Sequence, residues 1–190
     1  MREHGYEFQV IEPHIAEPVS LGVGLAPERR AQALSYFKAR SVATLITNGV
    51  ILAGDTVVSL SGQVFGKPAD RDDARTILSA LSGTTHDVIT GVTLLHASTG
   101  DRLIQHDITA VTMKPMSRAQ LEAYLDTGAW AGKAGAYGIQ DHGDAFIERI
   151  EGSFTNVVGF PMELVARMLD QWGIQAGHNP ANPTSQSIDS

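Results

Sequence analysis

The chain has 190 residues, a formal net charge of -7 and no cysteine. Its length predicts one domain with a sizeable core, and the lack of cysteine excludes disulfides, thiolate metal sites and a cysteine nucleophile. The negative charge disfavours a broad nucleic-acid surface, although a few lysines or a divalent cation can still bind a small phosphate ligand. No apolar run reaches membrane-spanning length and residues 1–6 contain no apolar signal core. We therefore expect a cytoplasmic protein without membrane or nucleic-acid partners.

The first third of the chain alternates between strand and helix patterns. Residues 8–11 read as a short strand that a proline stops. A helix is predicted over residues 26–49, with proline in its first turn. Its apolar stripe is formed by Leu34, Phe37, Ser41 and Leu45. Residues 50–53 are a continuous apolar run typical of a buried strand, which continues extended to a turn at residues 61–62.

The later elements carry clearer local signals. A helix is predicted over residues 70–83, because aspartates occupy its first turn and a glycine closes it. Its inward residues are Ala74, Ile77, Leu78 and Leu81. Further elements are predicted at residues 88–95 and 103–113 (a hairpin), 117–128 (a helix opened by a capping box), 146–150 (a strand) and 161–172 (a helix).

This order of elements predicts an α/β or α+β fold in which helices flank a mixed, twisted sheet. From Ala176 onward the sequence is dominated by Gly, Asn, Pro, Ser and Gln, which cannot bury enough apolar surface to fold. We therefore expect a single domain over residues 1–173 and a disordered tail over residues 174–190.

Asp55 is the strongest candidate for chemistry, because it follows four apolar residues and a glycine at the end of a predicted buried strand. A carboxylate in such a place is costly unless it is paired or binds a metal. Ligand sites in open α/β sheets also gather at strand ends. The alternative is that the side chain of Asp55 only caps a turn.

Lysines and one glycine-rich stretch are the other candidates. Lys67 lies between glycine and proline, which is unusual for a lysine on a helix surface without a specific role. The alternative is a solvated lysine in a turn. Lys38 carries a weaker signal because it is helical, and Glu17 is a loop acid with no local signal. In residues 132–140, the glycines permit close approach to a ligand, Lys133 can contact phosphate and Gln140 can hydrogen-bond a base. A purely structural loop is the alternative there, and the histidines show no metal-ligand spacing.

Together these pieces resemble the Maf family, also called septum formation inhibitor proteins, whose members are nucleoside triphosphate pyrophosphatases. The resemblance covers the chain to about residue 172 and rests on six stretches in order. They are residues 54–58 (Gly-Asp-Thr-Val-Val), 66–70 (Gly-Lys-Pro-Ala-Asp), 81–92, 133–140 (Lys-Ala-Gly-Ala-Tyr-Gly-Ile-Gln), 146–154 and 156–161.

The resemblance implies an inosine-triphosphatase-like fold, a homodimer, and hydrolysis of a nucleoside triphosphate to monophosphate and pyrophosphate with Mg²⁺ or Mn²⁺. By the same resemblance Glu17 and Asp55 hold the metal or activate water, and Lys38 and Lys67 bind phosphate. The Ala-x-Tyr-Gly-Ile-Gln stretch is similar to that of the family branch that accepts dTTP and UTP. This resemblance implies that Gln140 contacts the base.

The chain also departs from the family pattern. Nothing in it matches the opening strand and loop of the type Ser-x-Ser-Pro-Arg-Arg, so we expect Met1 to correspond to an internal methionine of an N-terminally truncated form. Ala16 replaces the usual aspartate before Glu17, and residues 141–144 (Asp-His-Gly-Asp) replace the usual Gly-x-Gly-Ala. We therefore expect weak or no turnover, and the alternative to an enzyme is a catalytically inactive nucleotide-binding or regulatory homologue.

Overall fold

The structure, a computed structural model, describes residues 1–13, 22–139 and 145–177. The strands are β1 (Val50–Leu60), β2 (Gln63–Phe65), β3 (Thr85–His96), β4 (Arg102–Met113) and β5 (Ile147–Glu151). The helices are α1 (Pro27–Ala43), α2 (Arg71–Leu81), α3 (Arg118–Asp126), α4 (Phe154–Val158) and α5 (Met162–Gln171). Short 3₁₀ segments lie at Arg2–His4 and Ala134–Ala136.

The five strands form one sheet in the order β2-β1-β3-β4-β5, with helices packed against it. This arrangement confirms the predicted α/β fold class. Every strand pair is antiparallel, so the predicted mixed sheet contains no parallel pair within the described ranges. For two of the four pairs the cause is local, because tight turns join β1 to β2 and β3 to β4, and a tight turn can connect only antiparallel neighbours.

The core lies on both faces of β3. On one face, Ala31 of α1 packs with Val57 and Ile89. On the other face, Val88 belongs to a cluster with α2 and α3, and Val92 belongs to a cluster with α5. Burial on both faces explains why residues 88–95 of this central strand are all buried and uncharged instead of alternating with exposed polar residues.

Gly91, in the middle of β3, determines how closely α1 approaches the sheet. A Cβ atom at this position would lie 2.3 Å from the backbone carbon and oxygen of Ala31. In the register of the sheet, Gly91 lies opposite Asp55 of β1. The missing side chain therefore lets α1 pack directly over the part of the sheet that carries Asp55.

Replacing Gly91 by Ala should lower the free energy of unfolding by about 3 kcal/mol, because the added methyl group overlaps backbone that must move as a whole helix. Urea unfolding monitored by circular dichroism measures the change. Gly66→Ala is the matched control, since a Cβ at Gly66 meets nothing within 4 Å. Equal stabilities of the two variants would contradict this account of the packing.

Most of the predicted elements are confirmed, but two details near the start of the chain are wrong. Residues 8–11 form no strand, because they have no ladder partner among the described strands, and Val10 is 77% exposed. The helix predicted to residue 49 ends at Ala43, where the hydroxyl of Thr44 donates to the carbonyl of Ser41. The buried face of α1 is formed by Ala31, Leu34, Ser35, Ala39, Ser41 and Val42.

The last described residues contact the N-terminal segment of the chain. Ile174 packs against the cluster that contains α5, and the N–H of Gly177 donates to the carbonyl of Gly5 at 2.9 Å. The domain and tail boundaries stay predictions, and residues 178–190 lie outside the described ranges. Within these ranges, no helix combines the length and apolar character needed to cross a bilayer.

Candidate functional site

A pocket of about 300 Å³ opens beside the middle of β1, next to Asp55. Strand β2 pairs only with residues 58–60 of β1, so this part of the edge is not covered by β2. The charged residues that line the pocket are Lys38, Asp55, Lys67 and Lys133. Three lysines against one aspartate give the described pocket wall a positive balance, in a chain whose overall charge is negative.

Asp55 forms an ion pair with Lys38 of α1. Its side chain is 10% exposed and that of Lys38 is 23% exposed. A carboxylate this far from water needs a partner to offset its lost hydration, and the lysine supplies an opposite charge. The close packing of α1 on Gly91 brings this lysine over the strand, so the fold itself creates the pair.

The opposite face of β1 contributes Thr56 to the pocket. Its hydroxyl lies 2.8 Å from that of Thr90, the residue across the ladder on β3. Gly159 ends α4 with a φ of 114° and also lines the pocket. The pocket therefore lies between α1 on one face of the sheet and the end of α4 on the other.

Lys67 lies two residues beyond β2, and the structure places it in the pocket wall near Asp55 rather than in a remote turn. The carbonyl of the preceding Gly66 accepts a hydrogen bond of 3.1 Å from the N–H of Gly135. This bond ties the lysine's backbone to the glycine-rich stretch predicted from the sequence.

Lys133 also lines the pocket, but its ammonium group donates to the carbonyl of Ala129 at 2.6 Å. A Cβ at Gly138 would lie 2.9 Å from Cδ and Cε of Lys133, so the lysine stem packs directly over this glycine. An ammonium has three donors, and the bond to Ala129 uses one of them. The predicted phosphate contact of Lys133 stays a prediction.

Two predicted site residues, Glu17 and Gln140, lie outside the described residues, so the structure gives no position for either. In the described ranges no three His, Asp or Glu side chains cluster to hold a metal ion. Asp55 alone still fits a hard divalent cation, because Mg²⁺ typically binds one or two carboxylates and completes its shell with water and substrate phosphates. The donor chemistry of the pocket is therefore compatible with the predicted metal.

Sequence reasoning gave no role to several apolar residues of the pocket. They are Val58, Val88, Tyr137, Ile139, Val157 and Val158. Val58, Tyr137 and Ile139 lie within three positions of predicted site residues, and Val88 lies on the neighbouring strand β3. Val157 and Val158 come from α4, which is too short to show a helical pattern. They form an apolar wall next to the lysines, as is usual for a site that binds a flat organic group.

His86 lies behind this wall as a buried partner of Tyr137. Its Nε2 is 2.7 Å from the tyrosine hydroxyl, and the two rings meet edge to face with centroids 5.5 Å apart. Burial lowers the pKa of His86 to about 4 and raises the pKa of Tyr137, because the surroundings disfavour both charged forms. The pair is therefore neutral at ordinary pH.

The buried histidine should make the protein less stable in acid. Below its ordinary pKa of 6.5, His86 takes up a proton in the unfolded state but stays neutral in the folded state until about pH 4. The free energy of unfolding should therefore fall by about 2 kcal/mol between pH 7 and pH 5 on account of this residue. Urea unfolding at both pH values measures the loss, and His86→Gln should show less of it. An equal loss in both proteins would exclude His86 as the cause.

Comparisons with known proteins show which family this chain belongs to. A family model described as Maf-like protein matches residues 1–172. A "dTTP/UTP pyrophosphatase" of Ruminiclostridium cellulolyticum is 39% identical over 86% of this chain and 84% of its own length. Relatives of the same name from Carboxydothermus hydrogenoformans (41% identical; 87% of this chain, 88% of the relative) and Symbiobacterium thermophilum (39%; 91% and 87%) also match. The chain belongs to the family of Maf-like proteins.

Proposed function

We propose that this protein is a nucleoside triphosphate pyrophosphatase that hydrolyses dTTP and UTP to the nucleoside monophosphate and pyrophosphate. Relatives at about 40% identity over most of the chain bear that activity in their names. The observation that carries the proposal is the pocket itself, where Asp55 lies with Lys38 and Lys67 beside an apolar wall. This combination suits a ligand with a charged phosphate chain and a flat base.

The reaction adds one water molecule across the anhydride bond between the α- and β-phosphates. The bond from phosphorus to the bridging oxygen breaks, a new bond forms to the water oxygen, and the water loses a proton. Negative charge builds up on the departing pyrophosphate, and Lys38 and Lys67 would stabilise it where they line the pocket. Asp55, together with Glu17, is our candidate to accept the proton from water.

Asp55 and Glu17 are also the residues that we propose to hold Mg²⁺ or Mn²⁺. When bound, the metal neutralises phosphate charge that would otherwise repel the carboxylates. In the structure, Lys38 forms an ion pair with the carboxylate of Asp55. A bound triphosphate would give this lysine a second anionic partner.

The base and the assembly complete the proposal. Gln140 would hydrogen-bond the base, and Lys133, which also lines the pocket, would contact phosphate. We further propose a homodimer in the cytoplasm, where the nucleoside triphosphate pools are found.

The alternative, a nucleotide-binding protein without turnover, is not favoured. The relatives at about 40% identity over most of the chain are named dTTP/UTP pyrophosphatase, after a reaction and not after binding alone. Asp55 lies in the same pocket as Lys38, Lys67 and Lys133. The names of the relatives, together with a carboxylate in the pocket that could accept a proton, favour catalysis.

A panel of nucleoside triphosphates tests the proposal. Pyrophosphate and orthophosphate released from dTTP, UTP, CTP, ATP and GTP are measured separately, with Mg²⁺ and with EDTA. We expect pyrophosphate from dTTP and UTP at rates well above those for the purine nucleotides, and no release with EDTA. Orthophosphate as the main product, or no preference among the bases, would argue against it.

A further inference from the structure

We infer that His86 is a positioning residue that acts through Tyr137 on the glycine-rich stretch of the pocket and, through that stretch, on Lys67. His86 does not line the pocket, and it is 2% exposed. The inference rests on the proposed function, since it assigns a reason for holding Lys67 in place.

The first step is the contact between His86 and Tyr137. They come from β3 and from the stretch after α3, 51 residues apart, and are joined by the 2.7 Å hydrogen bond. Tyr137 is 6% exposed, and it does line the pocket. The histidine thus holds a wall residue from behind, where no substrate can reach it.

The second step is the backbone next to Tyr137. Gly135 has a φ of 72°, and Ala136 has a φ of 63°, a left-handed conformation that non-glycine residues rarely adopt. Such a conformation persists only when surrounding contacts hold it. A Cβ at Gly135 would lie 2.8 Å from Val58 and 3.2 Å from the ring of Tyr137, so this backbone is confined between β1 and the tyrosine.

The third step leads to the lysine. The N–H of Gly135 donates to the carbonyl of Gly66, directly before Lys67. A shift of the Tyr137 ring would move Gly135 and weaken this bond, which would release the backbone of the lysine. A continuous set of contacts therefore runs from His86 through Tyr137, Gly135 and Gly66. It ends at Lys67, the lysine that we propose to bind phosphate.

A double-mutant cycle separates this role from simple support of the core. Tyr137→Phe keeps the ring and removes the hydroxyl, and we expect it to lower kcat/KM about tenfold, chiefly by raising KM. In a Lys67→Met background the same change should cost less than about twofold, because the lysine it positions is gone. A loss of equal size in both backgrounds would overturn the inference.

Three further variants distinguish loss of this hydrogen bond from misfolding. Tyr124→Phe removes a hydroxyl from another buried tyrosine of the same core cluster, outside the pocket, and should leave kcat/KM unchanged. His86→Leu should match Tyr137→Phe, while His86→Gln, which can still hydrogen-bond the tyrosine, should restore most of kcat/KM.

Amide hydrogen exchange gives a readout that does not depend on turnover. The amide of Gly135 should exchange about tenfold faster in Tyr137→Phe and His86→Leu than in the wild type, while amides of the ladder between β1 and β3 keep their rates. Unchanged exchange at Gly135 would overturn the inference even in an active enzyme. A wild type that releases no pyrophosphate would instead refute the proposed function, and the exchange data would still decide whether His86 holds the stretch.

Discussion

Asp55→Asn should lower kcat for pyrophosphate release from dTTP about 10³-fold, with the affinity for dTTP changed only a few-fold. The substitution removes the negative charge that would hold a metal or accept a proton. The amide keeps the shape of the side chain and can still accept a hydrogen bond from Lys38, which pairs with Asp55 in the structure. The loss should therefore appear in the chemical step and not in folding or binding.

Steady-state kinetics and calorimetric titration with dTTP measure the two effects separately. Asp87→Asn is the matched control, because Asp87 is an exposed aspartate on the neighbouring strand β3 and does not line the pocket. It should keep wild-type kinetics. A fall in kcat of less than about tenfold for Asp55→Asn would show that the reaction does not pass through this carboxylate.

Lys67→Met should lower kcat/KM for dTTP about 100-fold, with a higher KM as the main component. The long apolar side chain preserves the stem of the lysine and removes only the charge that we propose to contact phosphate. Because Lys67 is exposed at the pocket wall, its loss should cost little stability.

The same assay at two salt concentrations strengthens this test, because screening by salt weakens a charge contact and leaves an apolar one intact. Raising the salt concentration should raise KM in the wild type more than in Lys67→Met. Arg118→Met provides the control, since it removes a positive charge from an exposed position on α3 outside this pocket. Equal kinetics for Lys67→Met and the wild type would remove Lys67 from the proposed site.

Elements with local signals are the ones that sequence reasoning predicts correctly. The N-cap of α2 is an example, because the Asp70 side chain accepts bonds from the N–H groups of Asp72 and Asp73. The capping box between Ser117 and Gln120 at the start of α3 is another. In both cases the residues that decide the structure lie within one helical turn of each other, so their spacing is visible in the sequence.

That Asp55 lines a pocket could also be predicted, since a carboxylate after an apolar run conflicts with burial in any fold. Its predicted place at the end of a strand is wrong, because β1 continues to Leu60 and Asp55 lies in the middle of it. Its pairing with Lys38 could not be predicted, because that contact depends on how α1 crosses the sheet at Gly91. The link from His86 to Tyr137 is equally hidden, because it joins two elements 51 residues apart.

Residues 8–11 show the converse failure. Their strand propensity is good, but a strand also needs a neighbour with which to form a ladder, and propensity does not supply one. The antiparallel sheet is a similar case, because the direction of a strand pair depends on how the chain connects the two strands and not on the apolar pattern of either strand alone.

Product identification from dTTP is the most direct test of the proposed pyrophosphatase. Wild-type protein and Asp55→Asn are incubated with dTTP and Mg²⁺, and nucleotides and phosphates are separated by anion-exchange chromatography. The proposal predicts dTMP and pyrophosphate in equal amounts from the wild type, and almost none from the variant. Formation of dTDP and orthophosphate, or the same products from both proteins at similar rates, would contradict it.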